Sequence, residues 1–202
     1  MKTEEPSSFA FDAESEAQIP KIIARYPEGR QASAVLPLLD LAQRQMRRLT
    51  GSAWVPRAAM DAVAARLGMP PMRVYEVATF YFMFNTKPIG RHHLQVCGTT
   101  PCWLRGSDEV KRACMEAAGV KGYGETSADG LFTLSEVECL GACVNAPVLQ
   151  VDDDYYEDLD YDSTVAIIEA LKRGERPKPG SAIGRQGSAP AGGPTVLTGA
   201  EG

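Results

Sequence analysis

The chain has 202 residues, of which 44% are hydrophobic and 23% charged, and its formal net charge is -5. This composition is typical of a folded globular protein, and its acidic balance disfavours nucleic-acid binding. The longest apolar stretch, residues 77–84, is far shorter than the roughly 20 residues that a membrane-spanning helix needs. The five cysteines are too few for a disulfide-dense secreted scaffold but enough for a metal or redox site.

The first 16 residues are polar, with five acidic side chains and one basic one. A signal peptide would begin with basic residues before an apolar core, and a mitochondrial transit peptide would be rich in Arg. We therefore expect the protein in a reducing cytoplasm. Clustered cysteines there bind metals or take part in redox chemistry more often than they form structural disulfides.

Four amphipathic segments predict a small helical domain over residues 13–88, after a polar leader over residues 1–12. The first helix is expected to start or bend at Pro20. The third is expected to begin at Pro56 and end at Gly68, where glycine commonly terminates a helix. Short connections between these segments are typical of a helical bundle.

Residues 89–174 change to a strand, helix, strand, strand, helix pattern. The expected strands lie near residues 92–96, 132–137, 147–151 and 155–156, and the expected helices near residues 107–119 and 163–173. Ser107 is interpreted as the cap of the first helix and Gly174 as the C-cap of the second. The pattern predicts a small mixed sheet with helices packed on it.

The C-terminal tail is assigned to residues 175–202 and follows Gly174. Residues 174–202 contain eight Gly and four Pro. Such a composition buries too little apolar surface to fold alone. The tail is therefore either a disordered end or an arm that becomes ordered on a partner.

Four of the five cysteines form two closely spaced pairs, Cys97 with Cys102 and Cys139 with Cys143. Each pair follows a predicted strand, so each lies on a loop at a strand end, and two such loops can meet in a small sheet. Four thiolates suit either zinc or an iron–sulfur cluster.

The spacings favour iron–sulfur, because zinc ribbons usually use the tighter C-x2-C knuckle, which is absent here. Wider loops can enclose a bulkier inorganic core and direct backbone N–H groups at its sulfurs. Gly98, Gly141 and Ala142 are small where such a close approach is expected. Zinc, or no metal at all, remains open on spacing alone.

The other conspicuous side chains have structural interpretations. Cys114 lies inside a predicted helix as a buried small hydrophobe, and His92 and His93 point to opposite faces of a strand. Seven acids between residues 152 and 162 are typical of a solvated hairpin tip or a docking surface. The sequence contains neither a glycine-rich phosphate loop nor a nucleophile elbow, so no catalytic residue and no nucleotide site is predicted in this chain.

The sequence resembles the thioredoxin-like [2Fe-2S] subunits of respiratory complex I, the NADH:quinone oxidoreductase, which bacterial nomenclature calls the E subunits. The matching segments are residues 25–27, 34–43, 77–81, 96–105, 132–148, 155–158 and 178–180. Residues 189–193 are also similar to the extended ends of the mitochondrial and alphaproteobacterial forms, and the acidic start favours a bacterial one. All four ligand positions of the family's pattern hold cysteine.

This resemblance implies an α+β fold, with an N-terminal helical bundle, a thioredoxin-like domain and an extended C-terminal tail that docks on a partner subunit. It implies that Cys97, Cys102, Cys139 and Cys143 hold one [2Fe-2S] cluster, the first two on one iron and the last two on the other. In this family the bond between Ala146 and Pro147 is a candidate cis peptide.

For function, the resemblance implies an electron-transfer subunit of a proton-translocating NADH:quinone oxidoreductase, whose cluster exchanges one electron with FMN. FMN and NADH would bind to a partner flavoprotein subunit, beside a neighbouring iron–sulfur subunit. The expected location is the peripheral arm of complex I on the cytoplasmic side of the bacterial inner membrane, with no insertion into the membrane.

Two alternatives remain from the sequence. The first is the equivalent subunit of a soluble NAD-dependent formate dehydrogenase or of an NAD-reducing hydrogenase, because such enzymes share this cluster and a flavin partner. The second, from another functional class, is a zinc-stabilised interaction module without a redox role.

Overall fold

The computed structural model of the chain describes residues 4–188 and residue 192. These residues form two compact units, the first ending at Arg91 and the second beginning at His92. None of the helices in this part of the chain combines the length and apolar character needed to cross a bilayer.

The first unit is helical, as the sequence predicts. Its helices are α1 (Ala13–Ile23), α2 (Val35–Thr50), α3 (Arg57–Leu67) and α4 (Pro71–Phe80), with a 3₁₀ turn at Gln31–Ala34 before α2. Apolar side chains from all four helices form one core, in which Ile19, Leu38, Val63 and Val74 are 1% exposed or less. Helical spacing of apolar residues therefore identifies this core correctly.

Helix α1 begins at Ala13, so the expectation of a start at Pro20 is wrong. The Asp12 side chain accepts a hydrogen bond from the Ser15 N–H at 2.8 Å and thereby satisfies a free donor of the first turn. The buried amide of Gln45 also bonds Asp12 N–H and the carbonyl of Ala10, which anchors the end of the leader to α2.

The second unit contains a five-stranded mixed sheet in the order β2-β1-β3-β4-β5. Its strands are β1 (His92–Cys97), β2 (Phe132–Val137), β3 (Leu149–Val151), β4 (Asp154–Glu157) and β5 (Gly180–Ser181). Strand β1 runs parallel to β2 and antiparallel to β3, and β5 runs parallel to β4. The predicted hairpin joins β3 to β4, with Asp152 in the left-handed conformation at φ 57°.

Three helices complete this unit: α5 (Thr100–Leu104), α6 (Ser107–Ala118) and α7 (Tyr161–Lys172). The short α5 and strand β5 are additions to the predicted pattern. Ser107 is the first residue of α6 and not its cap, because the tight turn from α5 places Gly106 at the cap with φ 99°. Helix α7 starts two residues before Ser163, because Asp160 forms a capping box with that serine.

An apolar core lies beneath the sheet and includes Leu94, Phe132, Leu134 and Ile168, none of which is exposed. Cys114 belongs to this core, and burial raises the pKa of its thiol to about 12. The structural interpretation of this cysteine is thus confirmed. Its thiol is buried and protonated, and it belongs to a different apolar cluster from Cys97 and Cys102.

Candidate metal centre

The parallel pairing of β1 and β2 brings the two cysteine loops to the same edge of the sheet. Cys97 is the last residue of β1 and is in register with Val137, the last residue of β2. Parallel strands leave a sheet in the same direction, so the loops that follow them are neighbours. Cys102 then lies on α5, and Cys143 opens a 3₁₀ turn, Cys143–Asn145. The predicted meeting of the two loops is therefore observed.

The four thiols stand as two close pairs. The Sγ atoms of Cys139 and Cys143 are 3.9 Å apart, and the Cys97 and Cys102 thiols are close enough to shift each other's pKa. Cys143 is also close enough to interact electrostatically with Cys97 and Cys102. Two thiolates bound tetrahedrally at about 2.3 Å from one metal ion would lie about 3.8 Å apart, so the observed 3.9 Å separation fits a shared metal ion.

The set as a whole does not converge on one point. Across the residues that the structure describes, no group of three or more His, Cys, Asp or Glu side chains could hold a single metal ion. A two-iron cluster makes a different demand, since each iron takes two of four thiolates. Two neighbouring pairs of soft sulfur donors fit that demand.

The two pairs differ in exposure. Cys97 and Cys102 are each 1% exposed and pack against Ala142, Ala146 and Val148, whereas Cys139 and Cys143 are exposed. A cluster held here would have a buried side and an open side.

Burial and hydrogen bonds shift the pKa values of the two buried thiols in opposite directions. Burial raises the pKa of the Cys97 thiol, but hydrogen bonds from the Thr99 hydroxyl and from backbone N–H groups of Leu140 and Thr99 outweigh it, so the net pKa is lowered. Burial, followed by the hydrogen bond with Cys97, raises the pKa of Cys102 to about 12.

The loop around Cys139 is fixed by its neighbours. The Tyr155 hydroxyl donates to the carbonyl of Leu140 at 2.9 Å, and the Ala146–Pro147 bond is cis, as the resemblance suggested. Gly141 has φ 77°, and a Cβ at this position would meet no atom within 4 Å. Its positive φ is a backbone conformation that favours glycine.

The two histidines lie at the opposite end of β1 from Cys97 and have structural partners. His92 Nδ1 is 2.9 Å from Asp152 Oδ2, and His93 Nε2 is 2.8 Å from Ser135 Oγ. Their predicted structural role is confirmed.

The seven acids between residues 152 and 162 do not simply form a solvated hairpin tip. Glu157 is 3% exposed, and its carboxylate accepts hydrogen bonds from Asn145 Nδ2 and from the backbone N–H of Ser188. Asp158 is paired with Arg185, which lies in the predicted tail. These carboxylates serve the protein's own C-terminal segment, and no local sequence signal connects residues 27 positions apart. Residues 189–191 and 193–202 of the tail lie outside the described structure.

Known proteins are similar to most of this chain. The chain is 53% identical over 166 residues to the E subunit of NADH-quinone oxidoreductase from Rickettsia bellii, covering 82% of this chain and 96% of the relative. It is 46% identical over 193 residues to the mitochondrial NADH dehydrogenase [ubiquinone] flavoprotein 2 of Dictyostelium discoideum, covering 96% of this chain and 76% of the relative.

A solved structure of NAD+-reducing [NiFe]-hydrogenase in the H2-reduced state shares the fold, with a TM-score of 0.58 at 21% identity. The match covers 69% of this chain and 23% of the hydrogenase chain. The family model for the thioredoxin-like [2Fe-2S] ferredoxin matches residues 19–172. The present chain therefore belongs to the thioredoxin-like [2Fe-2S] ferredoxin family.

Proposed function

We propose that this chain is the electron-transfer subunit of the NADH-oxidising part of an NADH–quinone oxidoreductase. The observation that carries the proposal is the meeting of two thiol pairs where the parallel strands β1 and β2 end. Identities of 53% and 46% to relatives with the corresponding names support the choice of enzyme.

In this proposal Cys97 and Cys102 hold one iron of a [2Fe-2S] cluster, and Cys139 and Cys143 hold the other. The pairing is supported by the 3.9 Å separation of the Cys139 and Cys143 sulfurs and by the burial of Cys97 and Cys102 in one apolar cluster, where each thiol shifts the pKa of the other. When bound, such a cluster accepts and releases single electrons.

The protein's own residues adapt the site to this task. Cys97 and Cys102 are buried among small apolar side chains, which limits solvent access to one side of the site. Cys139 and Cys143 are exposed, so the face around them is the side at which a redox partner would approach. Electron exchange needs such an approach, since no other cofactor site is evident in the sequence.

The partner at this face is a flavoprotein subunit that binds FMN and NADH, with an iron–sulfur subunit next to it. The absence of a phosphate-binding loop from this sequence supports a division of labour between two chains. The assembled location is the peripheral arm of the enzyme, on the cytoplasmic side of the bacterial inner membrane.

The second candidate is the equivalent subunit of an NAD-reducing hydrogenase or NAD-dependent formate dehydrogenase. A shared fold with the hydrogenase supports it, but at 21% identity this similarity concerns the fold alone. Identifying the subunits that copurify with the chain from its native host distinguishes the two: quinone-reducing membrane subunits support the first, and a hydrogenase or formate dehydrogenase subunit supports the second.

The cofactor is tested on the full chain purified without oxygen. We expect visible absorption of an iron–sulfur protein, two irons per chain and one low-temperature EPR signal after reduction with dithionite. A colourless protein that contains stoichiometric zinc, and that gains no EPR signal after reconstitution with iron and sulfide, would contradict the proposal and support the zinc module.

A further inference from the structure

The guanidinium of Arg185 joins the C-terminal segment to the loop that carries Cys143. It donates to both carboxylate oxygens of Asp158, at 2.6 Å and 2.9 Å. It also donates to the carbonyl of Val144, the residue after Cys143, at 2.7 Å. One side chain thus contacts the exit of strand β4 and the metal-binding turn together.

Asp158 is held from several directions. Its side chain is only 4% exposed, and its Oδ2 also accepts a hydrogen bond from Ser181 at 2.7 Å. Its own backbone N–H donates to the carbonyl of Asn145, in the same turn as Cys143, at 2.7 Å. Arg185 itself is 46% exposed, and its two parallel hydrogen bonds to this buried carboxylate give the pair a defined geometry.

A second contact ties the same two segments together. Asn145 Nδ2 donates to the carbonyl of Gln186 at 2.7 Å as well as to Glu157. Arg185 and Gln186 therefore contact the Cys143–Asn145 turn, while Ser181 and Ser188 on either side of them are bonded to Asp158 and Glu157.

The pair also lies beside the thiol. Arg185, Asp158, Arg105 and Cys143 line one open hollow of about 430 Å³. The charge on Arg185 is balanced by Asp158 in the intact protein. Arg105 also acts on Asp158, and Glu157 on Arg185, so removing either partner changes the net charge around the hollow by one unit.

Resting on the proposed function, we propose that Arg185 is a positioning residue for the cluster, which fixes the Cys143 turn and, with Asp158, balances the charge beside it. Reduction adds negative charge to the cluster, so a neighbouring cation favours the reduced state and an uncompensated carboxylate opposes it. The two partners should therefore change the midpoint potential in opposite directions.

The test is an EPR-monitored redox titration of the full chain for wild type, Arg185→Gln, Asp158→Asn and the double variant. At the wild-type midpoint, we expect the ratio of reduced to oxidised cluster to fall about threefold in Arg185→Gln and to rise about threefold in Asp158→Asn. A threefold change corresponds to about 28 mV for one electron. The double variant should return close to the wild-type value.

Arg173→Gln is the matched control, because Arg173 makes a similar two-bond pair with Glu175 at the end of α7, and both side chains are exposed. It should leave the potential unchanged. Shifts of equal sign in Arg185→Gln and Asp158→Asn, or no shift in either, would overturn the inference.

Arg185→Lys keeps the charge but loses the planar fork. We expect this variant to retain the wild-type potential and to lose iron to a chelator faster than wild type. If Arg185→Gln does not retain its cluster, the rate of iron loss from Arg185→Lys tests the positioning role. Wild-type potential together with wild-type iron loss in Arg185→Lys would overturn the positioning role. A wild-type chain without iron would instead overturn the proposed function itself.

Discussion

The sulfur of Cys139 lies 3.9 Å from that of Cys143, and both side chains are exposed, while Cys97 and Cys102 are buried behind them. Replacing Cys139 with alanine removes one of two ligands from the iron that we assign to this pair. We expect Cys139→Ala to retain less than half of the wild-type iron after gel filtration. Iron and sulfide analysis with visible absorption measures this.

Cys114→Ala is the control for the loss of a thiol as such. Cys114 is not exposed and lies in the core beneath the sheet. Its replacement should leave iron content and the EPR signal at wild-type values, with a stability loss of about 1 kcal/mol from the small cavity. Equal iron content in Cys139→Ala and Cys114→Ala would contradict the ligand assignment.

The meeting of the cysteine loops was predictable because it depends on local signals. Cys97 and Cys139 each follow a run of strand-forming residues, and the helix between those runs makes a parallel pairing natural. Hydrophobic spacing likewise identified the four N-terminal helices and the buried position of Cys114.

The contacts of the tail were not predictable in this way. Arg185 is 27 residues from Asp158, and Gln186 is 41 residues from Asn145. Both Arg185 and Gln186 lie in a segment whose composition suggests a flexible end. The short strand Gly180–Ser181 contains no residue with a strong strand preference. The edge of β4 and the Cys143–Asn145 turn organise these residues, and neither contact is visible in a linear sequence.

Gly98 and Gly141 lie near the thiols, and we expect substitution of Gly141 to be the more destabilising. It has φ 77°, where a side chain costs about 1–2 kcal/mol, so we expect Gly141→Ala to lower stability and to speed the loss of iron. At Gly98 a new Cβ would lie 2.6 Å from Glu136 Oε1, the end of an exposed flexible side chain that can rotate away. Gly98→Ala should therefore lower stability by less than Gly141→Ala does.

Thermal unfolding and the rate of iron transfer to a chelator measure both effects. Gly124→Ala is the control for backbone strain in the same unit, since Gly124 has φ 81° and open space around a Cβ. It should lower the unfolding temperature like Gly141→Ala but leave the rate of iron loss unchanged. If Gly98→Ala were the more destabilising variant, the interpretation of Gly141 would be wrong.

Glu157 is a buried acceptor for three donors, Asn145 Nδ2 and the N–H and hydroxyl of Ser188. Glu157→Ala leaves Asn145 Nδ2 with one partner fewer and deprives the Ser188 N–H of its acceptor, so we expect a loss of about 1–3 kcal/mol in the free energy of unfolding. The exposed Glu169, which pairs with Lys172 on α7, serves as the control. Glu169→Ala should change stability by less than about 1 kcal/mol. Equal losses for the two variants in urea unfolding would contradict the structural role of Glu157.

The buried imidazole of His93 makes stability depend on pH. Burial lowers the pKa of His93 from 6.5 to about 4, and the nearby Asp152 carboxylate only partly opposes this. At a pH between these two pKa values, the unfolded chain therefore binds a proton at His93 and the folded chain does not. The contribution of neutral His93 to the free energy of unfolding is complete above pH 6.5. It declines as the pH falls towards 4, and about 2 kcal/mol of it is lost at pH 5.

A His93→Gln variant removes this titration, so its free energy of unfolding should fall less than that of wild type between about pH 7.5 and pH 5. Comparing the two proteins in the same buffers isolates the contribution of His93 from that of the carboxylates. Ser135→Ala removes the hydrogen-bond partner at 2.8 Å but keeps the buried ring. Because burial is the main cause of the lowered pKa, this variant should retain the wild-type pH dependence, and a flattened profile would instead assign the effect to the Ser135 contact.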